Sequence, residues 1–377
     1  SREFPDTCIV LGGQRANSSY REILGAYPKS LIVFDNGEVP FKEVVEIAIG
    51  KASPRRIGEI SNLAFNLDGQ VLVTRYEDSN WIAASHCAPT DTNVPEVLAR
   101  GGIVGIRLSQ GCWGNCTFCT HPGKWFGAAI DEIVGLLKDW KERFGLKGVT
   151  FTDDEIVNKD PQEARARIEE LTDKLIAARL DITWTTALRA DCIYWLDDQL
   201  VEKLKLAGCN SVFLGIESGS DTQLMRYGKP AAGVPVNAGV NEKAIQLFAR
   251  HDIRVGIGWI PFDPLMPTLR ELKENIDFIE RNDLLSQNIR LETSLRAQRG
   301  SAYAKKLGSF GLGLLGELQP NMFHYDATYL DPRVGTIKDH MKSWIEGIKA
   351  FDTQMHAVKF AMAVDPSQAD KFQPVVD

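Results

Sequence analysis

From Gly102 onward, short apolar runs alternate with stretches whose apolar residues recur at helical spacing. Because each apolar run is too short for a helix and is followed by an amphipathic segment, the pattern predicts a repeated βα unit. Such repeats form parallel sheets with right-handed crossovers. Six units favour an α/β fold built as a partial (β/α)6 TIM-like barrel. The six predicted strands are Ile103–Leu108, Gly148–Thr152, Ile182–Thr186, Ser211–Ile216, Arg254–Ile260 and Ile289–Leu295.

Helix ends are marked by residues with clear capping chemistry. Asp160 and Pro161 open one helix, with Glu163 in its first turn, which is a typical N-terminal signature. A second N-terminus is predicted at Thr268, with the Glu271 side chain reaching back to complete a capping box. Helices after the first and third strands are expected to end at glycines. Those glycines are Gly145 and Gly208.

The first 95 residues and the last 81 differ from the central repeat. A strand over Cys8–Gly13, a second over Leu31–Asp35 and a helix over Phe41–Ile49 predict about half of a doubly wound α/β domain. The tail is predicted to be a helical extension that closes the barrel, with a helix around Trp344–Phe351. The expected domains are therefore residues 1–95, 96–296 and 297–377.

Composition narrows the class of protein. The 377 residues are 44% hydrophobic and 25% charged, as in ordinary globular proteins, and the net charge is −7. That balance argues against a broad nucleic-acid surface. No apolar run reaches the ~20 residues of a membrane helix. Since seven cysteines are an odd number and no signal sequence is visible, a reducing cytoplasmic location is expected.

Three cysteines directly follow the first strand of the repeat. Cys112, Cys116 and Cys119 have the spacing CxxxCxxC. Three thiolates can hold three corners of a 4Fe-4S cluster and leave one iron open to another ligand. Zinc is the alternative, with His121 completing a Cys3His set, although structural zinc usually takes two ligand pairs. The position at the mouth of an α/β repeat favours the iron–sulfur cluster.

This loop, with Phe118 just before the last cysteine, resembles that of the radical S-adenosylmethionine (SAM) enzymes. The resemblance extends from about Gly101 to about Leu295. It implies that the open iron chelates the amino and carboxylate groups of SAM, and that one electron then cleaves SAM to methionine and a 5′-deoxyadenosyl radical. It also implies an electron donor such as flavodoxin or ferredoxin, and a small-molecule or peptide substrate from which the radical abstracts hydrogen. Neither nucleic acid nor a membrane is expected as a partner.

The same resemblance implies SAM contacts at the strand ends. An acid after the second strand would accept hydrogen bonds from the amino group, and Arg189 would pair with the carboxylate. Glu217 and Ser218, in the segment GIESGS, would meet the ribose, and the backbone of Trp259 and Ile260 the adenine. The acids have the alternative of a solvated acidic loop or a helix cap, Arg189 that of an Arg189–Asp191 surface pair, and the fifth strand that of simple strand packing. The candidate acids are Asp153, Asp154 and Glu155.

The amino-terminal segment resembles the second half of the cobalamin-binding domain that precedes the barrel in many radical SAM enzymes. Gly12–Gly13 and the stretch NGEVPFKEVV carry this likeness, whereas the first half of such a domain and a DxHxxG motif are absent from the sequence. The resemblance allows for cobalamin as a further cofactor, and implies C-methylation of a small molecule or peptide.

Three other interpretations remain. A cobalamin-independent enzyme would catalyse an epimerisation, rearrangement or redox step with a cysteine as hydrogen donor. Cys192 is the candidate, and its alternative is a small buried core residue. A non-enzymatic electron-transfer or sensor protein would need no SAM contacts. A methylthiotransferase would need three more cysteine ligands, and the amino-terminal region contains only Cys8 and Cys87.

Overall fold

The computed structural model describes residues 7–35, 37–77, 93–120, 124–230, 234–284, 291–319 and 323–364. His121, Cys87 and the start of the predicted sixth strand lie outside these residues.

The amino-terminal region forms a four-stranded sheet covered by two helices. In chain order its elements are β1 (Val10–Gly12), α1 (Gln14–Ala26), β2 (Leu31–Val33), α2 (Glu38–Ala48), β3 (Leu63–Leu67) and β4 (Gln70–Val73). The strand order is β1-β2-β3-β4. The first pair is parallel, as expected for a doubly wound half-domain, whereas β3 and β4 are an antiparallel hairpin.

The β3–β4 hairpin was not predicted, although its turn signal is present. Asp68 and Gly69 connect the strands with φ angles of 51° and 86°. Both angles are positive, which is what a type I′ hairpin turn requires and what an Asp-Gly pair tolerates. The antiparallel hairpin therefore adds two strands to the expected doubly wound elements.

The central region is a parallel α/β sheet. Its elements begin with α3 (Asn93–Ala99), β5 (Val104–Ile106), the short strands β6 (Ser109–Gln110) and β7 (Phe126–Gly127), and α4 (Ile130–Phe144). They continue through β8 (Gly148–Phe151), α5 (Pro161–Ala178), β9 (Thr183–Arg189), α6 (Asp198–Leu206), β10 (Cys209–Glu217), α7 (Asp221–Arg226), α8 (Ala238–Ala249), β11 (Arg254–Trp259) and α9 (Arg270–Arg281). The sheet order is β11-β10-β9-β8-β5.

All four pairings in this sheet are parallel, as the βα repeat predicts. The predicted sixth strand adds no ladder among the described residues. Its part that is described contributes a single parallel bridge, between Ser294 and Phe262. The described residues thus form a five-stranded parallel sheet, with this bridge extending it.

The helix signals have mixed outcomes. Asp160 caps α5, because its side chain accepts hydrogen bonds from the backbone of Gln162 and Glu163. The Thr268 hydroxyl accepts from the Arg270 N–H at 3.3 Å. Glu271, however, does not complete the predicted capping box: it is buried and pairs with Arg226. The opposite charge on another element takes the carboxylate away from the helix end.

The main core lies between the parallel sheet and its helices. Trp140 of α4 and Trp184 of β9 are fully buried there. The Trp184 indole donates to the Ala207 carbonyl oxygen at 2.8 Å, so its polar atom is satisfied inside the core. This packing fixes the strands, and hence the relative positions of the loops at their carboxyl ends.

After the central sheet the chain forms a small antiparallel sheet and two helices. These are β12 (Ala297–Gln298), α10 (Ala302–Ser309), β13 (Leu315–Leu318), β14 (His324–Ala327) and α11 (Pro332–Val364), with sheet order β12-β14-β13. The expected helix near Trp344 is part of α11. Within the described residues, no helix is long and apolar enough to span a membrane.

Candidate active site at the strand ends

The cysteine loop is closed at its base by a two-stranded ribbon. β6 and β7 pair antiparallel, with the cysteines between them. Cys112 and Cys116 are half-buried and Cys119 is exposed. The Gly114 N–H donates to Cys112 Sγ at 3.3 Å, and burial together with the nearby Glu155 raises the pKa of Cys112 to about 11. The described residues contain no group of three ligand side chains arranged around a single metal ion.

Asp153 anchors the base of the cysteine loop. Its carboxylate accepts hydrogen bonds from the Leu108 N–H at 3.2 Å, from the Ser109 N–H, and from the Ser109 hydroxyl at 2.6 Å. Burial raises the pKa of Asp153 to about 6. Arg167, which was not predicted, donates to the carbonyl oxygens of Leu108 and Ala128 at 2.7 and 3.0 Å. The structure thus uses Asp153 to hold the loop.

Arg189 lies against the cysteine loop but is already paired. Its Nε and Nη2 donate to the Asp191 carboxylate at 2.8–3.3 Å, and Nη2 also donates to the Lys229 carbonyl oxygen at 2.7 Å. Nη1 faces Cys116 Sγ at 3.8 Å, and the guanidinium lies 4.4 Å from the Trp113 ring centroid. The Arg189–Asp191 pair anticipated from sequence exists, but it is buried and borders the loop.

Glu155 is the buried acid of the second strand end. Its Oε2 accepts from the Arg189 N–H at 2.9 Å, while Oε1 has no hydrogen-bond partner among the described residues. Burial, and secondarily the charge of Asp191, raises the pKa of Glu155 to about 8. Asp154 is exposed. Of the three predicted acids, therefore, Asp153 is engaged, Asp154 faces solvent and Glu155 offers one unpartnered oxygen.

Glu217 lies at the carboxyl end of β10 in a constrained conformation. Its φ is 65°, the left-handed region that non-glycine residues rarely occupy. An added Cβ on Gly258 would lie 3.0 Å from Glu217 Oε2, and one on Gly215 would lie 3.2 Å from Oε1. The two glycines thus leave space for the carboxylate over the strand ends. Such strained positions cluster at ligand sites.

Lys229, which sequence analysis did not single out, lies beside Glu217. Its Nζ is 3.4 Å from Glu217 Oε1, and its side chain is 3% exposed. No local motif marks this lysine, because it comes from the turn after α7, twelve residues along the chain from Glu217. Its role becomes visible only when the turn is placed against the sheet.

The other predicted contacts divide between the site and the core. The Ser218 hydroxyl is buried and lies 2.7–2.8 Å from the side chains of Gln223 and Asn275, so it is engaged in an internal network. The Trp259 ring stacks on Phe278 in the core, at 5.8 Å between centroids. The expected adenine contact therefore falls to the backbone of this segment.

Ile260 and Phe118 pack beside a second small core. Phe118 meets Tyr227 edge-on at 5.4 Å, and the Tyr227 hydroxyl donates to the Ile260 carbonyl oxygen at 3.0 Å. The Ile260 N–H donates to the Glu217 carbonyl oxygen at 2.9 Å. The cysteine loop is thereby packed against the strand end that carries Glu217.

Cys192 follows the carboxyl end of β9, but its side chain is buried. The side chain is 1% exposed within the main core, and burial, with the charge of Asp191, raises the pKa of the thiol well above its ordinary value. This position matches the alternative that Cys192 is a small buried core residue. The structure gives the proposed hydrogen-donor role no support, and that role stays a prediction.

The amino-terminal sheet and the tail both reach the cysteine loop. The Thr120 hydroxyl lies 2.9 Å from Gln298 Oε1 and 3.5 Å from Gln14 Oε1. Arg299 pairs with Glu22 of α1. The glycine pair that ends β1 therefore lies near the loop, because Gln14 directly follows it.

Comparison with known protein families shows which class of protein the central region is similar to. Residues 106–279 match the model of the Radical SAM superfamily, which includes the cysteine loop and the strand ends just described. This match agrees with the resemblance that the cysteine spacing indicated. Radical SAM enzymes bind SAM at a 4Fe-4S cluster, and the loop cysteines have the spacing of the family's cluster ligands.

Relatives extend the likeness beyond residues 106–279. The chain is 28% identical over 300 residues to the 4'-phospho-dehydrooxetanocin synthase of Priestia megaterium, across 74% of this chain and 39% of that protein. It is 26% identical over 290 residues to an uncharacterised methyltransferase of Pyrococcus horikoshii, across 73% of this chain and 58% of that protein.

A solved structure shares the fold over almost the whole chain. The cobalamin-dependent SAM radical enzyme OxsB, with aqua-cobalamin and SAM bound, superposes with a TM-score of 0.78 at 22% identity, covering 93% of this chain and 55% of that one. The chain thus spans well under two thirds of the length of these relatives.

Proposed function

We propose that the protein is a cobalamin-type radical SAM methyltransferase that C-methylates a small molecule or peptide. The observation that carries this proposal is the meeting of the cysteine loop, Glu217 and Lys229 at one edge of a parallel sheet. In α/β proteins this carboxyl edge is where active sites lie. When bound, the reduced cluster supplies the electron that cleaves SAM, and cobalamin acts as the carrier of the methyl group.

The residues present fit the cluster. Cys112, Cys116 and Cys119 would hold it by their thiolates, and metal binding would deprotonate them, including the Cys112 thiol, whose pKa burial has raised. The Arg189 guanidinium next to Cys116 would offset the negative charge of the thiolates. Cys119, the exposed member, stands next to the packed Phe118 ring.

The residues also fit SAM. Glu217 can accept hydrogen bonds from ribose hydroxyls, as a charged acceptor over two glycines. The unpartnered Oε1 of buried Glu155 is one further acceptor near Arg189 and the loop. Buried polar atoms without partners are unusual, and a bound ligand is one group that can complete them.

The open end of β1 supports the proposal that cobalamin binds. Gly13 has φ 86°, and a Cβ there would meet no atom within 4 Å, so this strand end leaves open space. Gln14, the next residue, lies beside Thr120 of the cysteine loop. A cofactor bound at the glycine pair would therefore lie next to the cluster, as methyl transfer requires. OxsB, which shares this fold, was solved with aqua-cobalamin and SAM bound.

Cluster content tests the proposal at its first step. We expect wild-type protein, reconstituted without oxygen, to contain about four irons and four sulfides per chain. Replacing Cys112, Cys116 and Cys119 together by Ala should reduce both to background, while Cys209→Ala, a matched variant of a buried core cysteine, should keep them. Equal iron and sulfide in the triple variant would contradict the proposal.

A further inference from the structure

The family resemblance assigned the SAM carboxylate to Arg189, but the guanidinium group of Arg189 already has partners. Two of its three nitrogens are occupied by the Asp191 carboxylate, one of them also by the Lys229 carbonyl oxygen. Both side chains of the pair are at least nine-tenths buried. Breaking a buried pair leaves an uncompensated charge, which is strongly destabilising. Arg189 is therefore poorly placed to make a bidentate contact with a ligand carboxylate.

Lys229, in contrast to Arg189, has hydrogen-bond donors that are not used within the described residues. Its ammonium is buried, and the one acceptor it has among the described residues is Glu217 Oε1, at the long distance of 3.4 Å. An ammonium carries three donors, so two N–H groups have no protein partner in the part of the chain that is described. A buried cation with unused donors is costly unless an anion completes its environment.

The location of this ammonium is the strand-end site itself. A Cβ added to Gly215 would lie 3.1 Å from Lys229 Nζ, so the ammonium lies over the end of β10 where the chain carries no side chain. The preceding residue, Gly228, packs against the cysteine loop, where its Cβ would lie 3.0 Å from the Asn115 carbonyl oxygen. Lys229 thus stands between the cysteine loop and Glu217.

We propose that Lys229 binds the carboxylate of SAM, with Glu217 beside it on the ribose. The inference rests on the proposed function, since it assumes that SAM occupies this edge of the sheet. A carboxylate chelated to a cluster on the cysteine loop lies on the side of the site that Gly228 and Lys229 border. Arg189 then becomes a positioning residue: its guanidinium holds the Lys229 carbonyl oxygen and faces Cys116.

Ligands with and without the carboxylate separate this role from a purely structural one. Binding of SAM and of 5′-methylthioadenosine, which keeps the adenine and ribose but lacks the amino-acid part, is measured by anaerobic calorimetry on the reconstituted protein. Lys229→Met should weaken SAM binding by about 10- to 100-fold, the loss of a charge-assisted contact, and leave 5′-methylthioadenosine binding within about twofold. Glu217→Gln should weaken both ligands.

Control variants cover misfolding and unrelated effects. Lys203→Met, which removes a lysine paired with Asp173 on the outer helices, should leave both affinities unchanged. If Lys229→Met does not fold because Glu217 loses its counter-ion, the double variant Lys229→Met/Glu217→Gln is compared with Glu217→Gln alone. The double variant should still bind SAM about tenfold or more weakly than the single one, with equal 5′-methylthioadenosine binding.

Two results would overturn the assignment, and they are distinguishable. Equal losses for both ligands would mean that Lys229 only holds Glu217, which refutes the carboxylate contact and leaves the proposed function standing. Wild-type protein that contains the cluster but binds neither SAM nor 5′-methylthioadenosine would refute the proposed function, and the assignment with it.

Discussion

At the scale of single residues, the residue types at the site were easier to predict than their hydrogen-bond and ion-pair partners. The spacing of the cysteines and the GIESGS segment indicated the site, and Glu217 lies at the strand end as expected. Asp153 and Ser218 are engaged in internal hydrogen bonds that no local pattern reveals. Lys229 was missed for the same reason, since its neighbour Glu217 belongs to a different element. Residue types identify a possible ligand, whereas tertiary contacts decide which atoms remain available.

Glu155 should give the apoprotein a characteristic pH dependence. Its pKa is raised by burial from 4.5 to about 8, so between these values the folded protein holds a proton that the unfolded chain has lost. The contribution of Glu155 to the free energy of unfolding is therefore fully present below about pH 4.5 and is lost as the pH rises towards 8. Glu155→Gln, a neutral substitute, should flatten the free energy of unfolding over this interval, as measured by urea denaturation from pH 5 to 8.

The matched control is the exposed helix residue Glu142→Gln, which should keep the wild-type slope. Asp153, whose pKa is about 6, contributes a smaller slope of the same sign that remains in both variants. An unchanged slope in Glu155→Gln would show that Glu155 is not the titrating group.

At the scale of elements, periodicity and caps predicted the main sheet well. The five strands with ladders in the described sheet were all expected, and Asp160 caps α5 as predicted. Failures came where a distant partner decided the outcome: Glu271 pairs with Arg226 instead of its own helix end. The β3–β4 hairpin is different, because its Asp68-Gly69 turn is a local signal that the sequence itself carries.

Gly228 is an element junction where both the backbone angle and the space favour glycine. Its φ is 65°, and a Cβ would lie 3.0–3.1 Å from Asn115 and Thr117 of the cysteine loop. Gly228→Ala should lower the free energy of unfolding by about 1–2 kcal/mol from backbone strain alone, and reduce iron incorporation by displacing the loop. Thermal unfolding and iron analysis measure the two effects.

Gly135 provides the comparison, because it lies within α4 and a Cβ added there would meet no atom within 4 Å. Gly135→Ala should raise stability by about 0.5–1 kcal/mol and leave iron content unchanged. Equal behaviour of the two variants would mean that the Gly228 turn does not support the cysteine loop.

At the scale of the whole molecule, three regions converge on one loop. Thr120 contacts both the amino-terminal Gln14 and Gln298 of β12, and Arg299 pairs with Glu22 of α1. The sequence indicated the regions, but not that the loop joins them, because such contacts span up to 280 residues. This convergence places the open end of β1 at the site and is the structural basis for including cobalamin.

Equilibrium dialysis with hydroxocobalamin tests that arrangement. The reconstituted chain should bind cobalamin, and Gly12→Leu, which fills the strand end, should bind it much more weakly while unfolding at the same temperature. If wild-type protein binds none, cobalamin-type methyl transfer by this chain is excluded. The cobalamin-independent interpretation would then be tested through Cys192→Ala.

The central claim is that this site cleaves SAM reductively, and one measurement tests it most directly. Reconstituted wild-type protein, reduced with dithionite in the presence of SAM, should form 5′-deoxyadenosine and methionine in equal amounts, even without a substrate. The Cys112/Cys116/Cys119→Ala variant should form none, and Glu217→Ala should require higher SAM concentrations. Protein that contains the reduced cluster and binds SAM, yet forms no 5′-deoxyadenosine, would contradict the account.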